Sequence, residues 1–172
     1  MRYRIILGLA AFIAALDQLT KFAVERNLAL YEVVPVTGFF NLVNVRNYGA
    51  AFGFLNDPEM NWQFWFFLAA TLLAAGIILY IAKQAADKDK PLFFALGCIL
   101  GGAVGNLVDR VRYRAVVDFL DFHYAGWHWP AFNVADIAIC IGAGLTAFLI
   151  WRYPPPPPRG QTGPSPHTPQ GG

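Results

Sequence analysis

The chain has 172 residues, of which 56% are hydrophobic and only 14% charged. A soluble domain carries about 25% charge, so this composition argues for one compact integral membrane domain. The net charge of +2 supplies no basic field for nucleic acid, and the local cluster Arg110, Arg112 and Arg114 does not by itself make a phosphate site.

The N-terminus, Met1-Arg-Tyr-Arg followed by apolar residues, superficially looks like a secretory signal peptide. It lacks a clean small-residue cleavage site and the apolar pattern resumes past Asp17, so a retained transmembrane helix over about residues 5–24 is expected. Residues 28–58 are rich in Val, Phe and Tyr, punctuated by Pro35 and Gly38. There Val43 and Val45 alternate against Leu42, Asn44 and Arg46, which predicts a small sheet on the outer membrane surface. An interfacial amphipathic helix follows or replaces part of it. The second span, residues 62–82, has no charge and an aromatic start at Trp62, Phe64, Trp65, Phe66 and Phe67 suited to an interface belt. The third, residues 92–108, carries Gly97, Gly101, Gly102 and Gly105, spaced for close helix approach rather than for a phosphate loop. The fourth, AFNVADIAICIGAGLTAFLIW over residues 131–151, is roughly 30 Å long as a helix. Cys98 and Cys140 fall in apolar runs and predict buried thiols, with no disulfide framework or metal motif.

Residues 1–153 thus read as one membrane domain, with its extracytoplasmic element at about 28–58. Residues 154–172, with five consecutive prolines near their start, read as a disordered cytoplasmic tail. Four spans put both termini on one side, with seven Lys and Arg there against six on the other, a slight preference for cytoplasmic termini.

Asp136 stands inside the fourth apolar run, where an ionisable group costs about 2.5–3.5 kcal/mol. It survives only if it faces a protein interior or a wet cavity. Asp118 lies 18 residues upstream in the segment leading into that helix. Asp17 ends the first span, Asn106 and Asp109 end the third, and Asn133 and Asp136 begin the fourth, so the polar residues gather at one membrane face. Asn106 with Asp109, and Asn133 with Asp136, are three apart and share helix faces. Two carboxylates held close cannot both ionise: one keeps a proton while the other activates water, a pairing that hydrolyses an amide without metal or covalent intermediate. On the residues alone, either Asp109 or Asp118 can partner Asp136. Asp17 and Lys21, four apart, equally read as a structural ion pair, and Asp121, His123 and His128 with Asp118 fit no closed zinc spacing. Two rival functions remain at this point. One is a proton-coupled transporter using Asp17 and Asp136 as relay groups, against which stands the gathering of the acids at one face; the other is a non-catalytic scaffold.

Five segments in order resemble the lipoprotein signal peptidase (signal peptidase II) family over about residues 5–152. They are Asp17-Gln-Leu-Thr-Lys21, Arg46-Asn-Tyr-Gly-Ala-Ala-Phe52, Gly101-Gly-Ala-Val-Gly-Asn-Leu-Val-Asp-Arg110, Val116-Val-Asp-Phe119 and Pro130-Ala-Phe-Asn-Val-Ala-Asp136. The resemblance implies an all-α integral membrane protein of four transmembrane helices, with a small extracytoplasmic β-sheet cradle and a peripheral surface helix. It implies an aspartic endopeptidase of the bacterial cytoplasmic membrane, with Asp118 and Asp136 as catalytic dyad near the extracytoplasmic face. Asp17, Asn47, Asn106, Asp109, Arg110 and Asn133 match the supporting polar shell. Asp118 is taken over Asp109 because Asp109 adjoins Arg110, and an ion-paired acid is poorly suited to sharing a proton. The implied substrate is a diacylglyceryl-modified prolipoprotein, cut just before the lipidated cysteine beside membrane lipid. No cofactor or metal is implied, and globomycin is the expected inhibitor. Tyr48 stands where the family often has Thr, which bears on substrate fit near Asn47.

Overall fold

The computed structural model describes residues 1–49, 62–86 and 88–152. In chain order these form α1 (Arg2–Asn27), β1 (Val33–Thr37), β2 (Phe40–Asn47), α2 (Gln63–Gln84), α3 (Lys90–Tyr113), β3 (Val116–Tyr124), β4 (Trp127–His128) and α4 (Val134–Arg152). All four helices are long and apolar enough to cross a membrane. The expected peripheral helix falls partly, and the proline-rich tail wholly, outside the described residues.

Helix α3 is the centre of the bundle, packed on α1, α2 and α4. Its glycines make this possible. A Cβ at Gly101 would strike the backbone of Ala10 on α1, and one at Gly102 would strike the carbonyl of Ala135 on α4. Helix α2 is attached differently. Its buried apolar residues, Ile78 and Ala82, lie toward its C-terminal end in a cluster with Ile6, Phe93 and Leu96. Arg2 Nη1 caps that same end, donating to the carbonyls of Ala82, Lys83 and Ala85 at 2.9, 3.0 and 2.9 Å. Toward its other end α2 meets two cations at the end of α3: Arg110 lies 4.0 Å over the Phe67 ring, and Arg114, the residue just past the helix, 3.9 Å over Phe64. Between the half of α2 that packs little and α4, a cleft stays open.

The sheet is antiparallel in the order β1-β2-β3-β4. It is therefore larger than the element expected between the first two spans, because residues 116–128 contribute two strands. The run VVDFLDFHY forms a strand, buried through its first four residues, and belongs to the sheet rather than to a simple lead into the fourth helix. Pairing of β2 with β3 shifts between Leu42 and Val45: Leu42 opposes Leu120 and Val45 opposes Asp118, so Val43 and Asn44 stand against Phe119 alone. This β-bulge transfers the odd-numbered residues of β2 to the face that carries Asp118. Asn47, paired with Val116, consequently shares that face. Beyond β4, Phe132 bonds back to β3, its N–H donating to Leu120 O at 3.1 Å and its carbonyl accepting from Leu120 N at 2.9 Å. That bridge brings the start of α4 beside Asp118.

Candidate active site

Asn133 ends the connection from β4 and begins α4 as its N-cap. Its Oδ1 accepts from the Asp136 N–H at 3.0 Å, while Asp136 Oδ2 accepts from the Asn133 N–H at 3.3 Å. This is a reciprocal capping box, with the carboxylate in the first turn where the helix dipole favours it. The helix starts at Val134 rather than 131, so Asp136 lies in its first turn.

Two asparagines join Asp136 to Asp118. Asn106 Nδ2 donates to Asp136 Oδ1 at 2.8 Å, and Asn133 Nδ2 donates to Asp118 Oδ1 at 2.7 Å. Asn133 Nδ2 also reaches Asn106 Oδ1 at 3.1 Å, closing the link between the two amides. Asp118 Oδ2 accepts from Asn47 Nδ2 at 3.1 Å, and Asn47 Oδ1 takes the Gly49 N–H at 3.0 Å. Asp118 is 2% exposed. Burial, and then the neighbouring Asp136 carboxylate, push its pKa up to about 7, against the opposing pull of the Asn47 and Asn133 amides and Lys21. A carboxyl group so placed holds a proton near neutrality.

Asp109 is elsewhere engaged. Its Oδ2 lies 2.8 Å from Lys21 Nζ and accepts the Val117 N–H at 3.1 Å, and its Oδ1 accepts from Gln18 Nε2 at 2.8 Å. The ion pair expected to remove Asp109 from the chemistry exists, but with Lys21 and not with Arg110. Asp17 is the second carboxylate on Lys21, at 2.8 Å, and its Oδ1 accepts the Ala135 N–H at 2.9 Å. The structural reading of Asp17 with Lys21 is thus correct, and the pair also ties α1 to the first turn of α4. Arg110 Nη2 donates to Gly49 O at 2.8 Å, and its buried Nε meets no acceptor among the described residues.

The two aspartates, Asn47, Asn106 and Arg110 form the polar end of a cleft of about 900 Å³. Most of its remaining wall is apolar, with Phe67, Ala70 and Ala74 of α2, Ala103 of α3, and Ile137 and Ile141 of α4, beside Arg46 and Thr71. Cys140 also lies on this wall and is exposed, which corrects the expectation of two buried thiols; Cys98 is buried. Across the sheet, Asp121 faces away from the cleft. It accepts from Asn41 Nδ2 at 2.7 Å and lies 2.9 Å from His128 Nδ1. Burial works upward on its pKa, but the His128 and Asn41 contacts outweigh it and hold Asp121 below the usual carboxylate range. No group of three metal-ligating side chains occurs among the described residues.

Every site residue expected from the sequence lies in this network or on the cleft. Lys21 and Gln18 belong to it as well and were given no role at the site. A lysine inside an apolar helix is as anomalous as Asp136, and that signal was available.

The sequence model described as signal peptidase (SPase) II matches residues 9–152. The chain belongs to the signal peptidase II family. It is 58% identical over 158 residues to the lipoprotein signal peptidase of Nitratidesulfovibrio vulgaris (strain DP4), covering 91% of this chain and 94% of that one. The lipoprotein signal peptidase of Oleidesulfovibrio alaskensis (strain ATCC BAA-1058 / DSM 17464 / G20) is 49% identical, over 88% and 97% of the two chains. Two solved structures of a bacterial membrane enzyme superpose with TM-scores of 0.75 and 0.73 at 29% identity. They cover 85% and 86% of this chain, and 87% and 92% of their own. As a member of this family the chain is a multi-pass membrane protease that removes the signal peptide from prolipoproteins.

Proposed function

We propose that Asp118 and Asp136 are the catalytic dyad, acting on a diacylglyceryl-modified prolipoprotein and cutting just before the lipidated cysteine. The observation that carries this reading is the pair of asparagine amides holding both carboxylates at the polar end of a cleft whose other walls are mostly apolar. Asp136 takes a proton from water, whose oxygen bonds to the scissile carbonyl carbon. Asp118 gives its proton to the carbonyl oxygen, and the barrier falls because the developing oxyanion is neutralised as it forms. On collapse the C–N bond breaks. The proton held by Asp136 passes to the departing amine and Asp118 regains its own, so the dyad ends as it began.

The cleft supports the lipid part of the substrate. Acyl chains fit against Phe67, Ala70 and Ala74 while the peptide lies by Asn47 and Arg110, whose Nε–H suits a substrate carbonyl. The sheet and the dyad sit at the end of the bundle away from Arg2. We place that end on the extracytoplasmic side of the bacterial inner membrane, with both termini cytoplasmic. Globomycin is expected to compete for the cleft, and turnover is expected to survive EDTA.

The test is cleavage of a purified diacylglyceryl prolipoprotein by wild type, Asp118→Asn, Asp136→Asn and Asp109→Asn, each checked for folding in detergent. Turnover is expected to vanish in the first two variants and to persist in part in the third. A folded and fully active Asp118→Asn would remove it from the dyad.

A further inference from the structure

Lys21 is 1% exposed and lies at the bottom of the polar network, away from the cleft. An ammonium has three donors and no acceptor. All three have partners here: Asp17 Oδ2 at 2.8 Å, Asp109 Oδ2 at 2.8 Å and Asn106 Oδ1 at 3.0 Å. The third contact decides the orientation of an amide. With Lys21 present, Asn106 must turn its oxygen inward, so its NH2 must point out to Asp136. The same oxygen accepts from Asn133, whose NH2 therefore faces Asn106 and Asp118, while its own oxygen caps the Asp136 N–H. The two amides can both reverse only by setting an NH2 group against the ammonium and oxygens against both carboxylates.

We infer that Lys21 is a positioning residue for the reaction, which fixes the orientation of the Asn106 and Asn133 amides so that each aspartate of the dyad receives one side-chain N–H from them. This rests on the dyad reading above. It goes beyond charge balance, because charge balance alone would be met by neutralising Asp17 and Asp109.

That difference is the test. Lys21→Met removes the donor but strands two buried carboxylates, and such a variant can fail to fold for that reason alone. The triple variant Asp17→Asn, Lys21→Met, Asp109→Asn has no stranded charge. Each new asparagine keeps an oxygen for the Ala135 or Val117 N–H. Steady-state cleavage of diacylglyceryl prolipoprotein should show kcat reduced about 100-fold in the folded triple variant, with KM within about threefold of wild type, since misaligned catalytic groups cost turnover rather than binding. Lys21→Arg, which also donates only, should recover part of the loss relative to Lys21→Met. A folded triple variant with kcat within about threefold of wild type would overturn the inference and leave Lys21 a charge-balancing residue. Asp136→Asn is the control: if it remains active, the dyad reading falls and takes this one with it.

Discussion

Asn133 donates its side-chain N–H to Oδ1 of Asp118 at 2.7 Å, so the residue that caps α4 also holds the carboxyl of β3. One side chain thereby couples the stability of a helix start to the geometry of the proposed dyad. Asn133→Ala should lose the cap, about 1 kcal/mol, and lower kcat about 100-fold. Thermal unfolding in detergent and cleavage kinetics on the same preparations check both halves. A lowered midpoint with unchanged kcat would mean that Asn133 is only a cap.

The raised pKa of Asp118 sets a pH dependence with a definite sign. In the proposed mechanism cleavage uses this proton, so kcat/KM should fall on the alkaline side with an inflection near 7. Stability follows the same group. Between 3.8 and about 7 the folded chain holds the proton more tightly than the unfolded chain does. The contribution is therefore full below 3.8 and is lost as pH rises through 7, on the order of a few kcal/mol. The unfolding midpoint of wild type should drop from pH 5 to pH 8, and that of Asp118→Asn should drop less. Parallel pH curves for the two proteins would refute the assignment.

Gly102 sets the distance between α3 and α4. Gly102→Ala must push its methyl group against the Ala135 carbonyl, displacing the turn that carries Asp136. A destabilisation of about 1–3 kcal/mol and a loss of at least about tenfold in kcat are expected. Gly144→Ala meets nothing within 4 Å and should change neither, which makes it the internal comparison for denaturation and turnover.

If acyl chains occupy the apolar part of the cleft, bulk placed there should hinder binding and spare the chemistry. Ala74→Trp is expected to raise KM for the diacylglyceryl substrate about tenfold or more with kcat little changed. Wild-type KM in the folded variant would show that the chains lie elsewhere.

The four spans were legible because a bilayer demands long apolar runs, and their departures from apolarity pointed to Asp17, Asn106, Asp109, Asn133 and Asp136. The order of the five motifs made the family recognisable and named Asn47, Arg110 and Asp118 with them. Hydrophobic period could not show the bulge between Leu42 and Val45, since an inserted residue looks like any other until a partner strand is present. Yet that bulge is why Asn47 faces Asp118. The sequence also left Asp109 and Asp118 as rival partners of Asp136. The proposal of Asp118 rests on tertiary structure, which places Lys21, 88 residues before Asp109 in the chain, 2.8 Å from the Asp109 carboxylate. Composition and spacing report which groups a chain must bury. Only packing determines which charge meets which, because that choice depends on contacts between helices far apart in sequence.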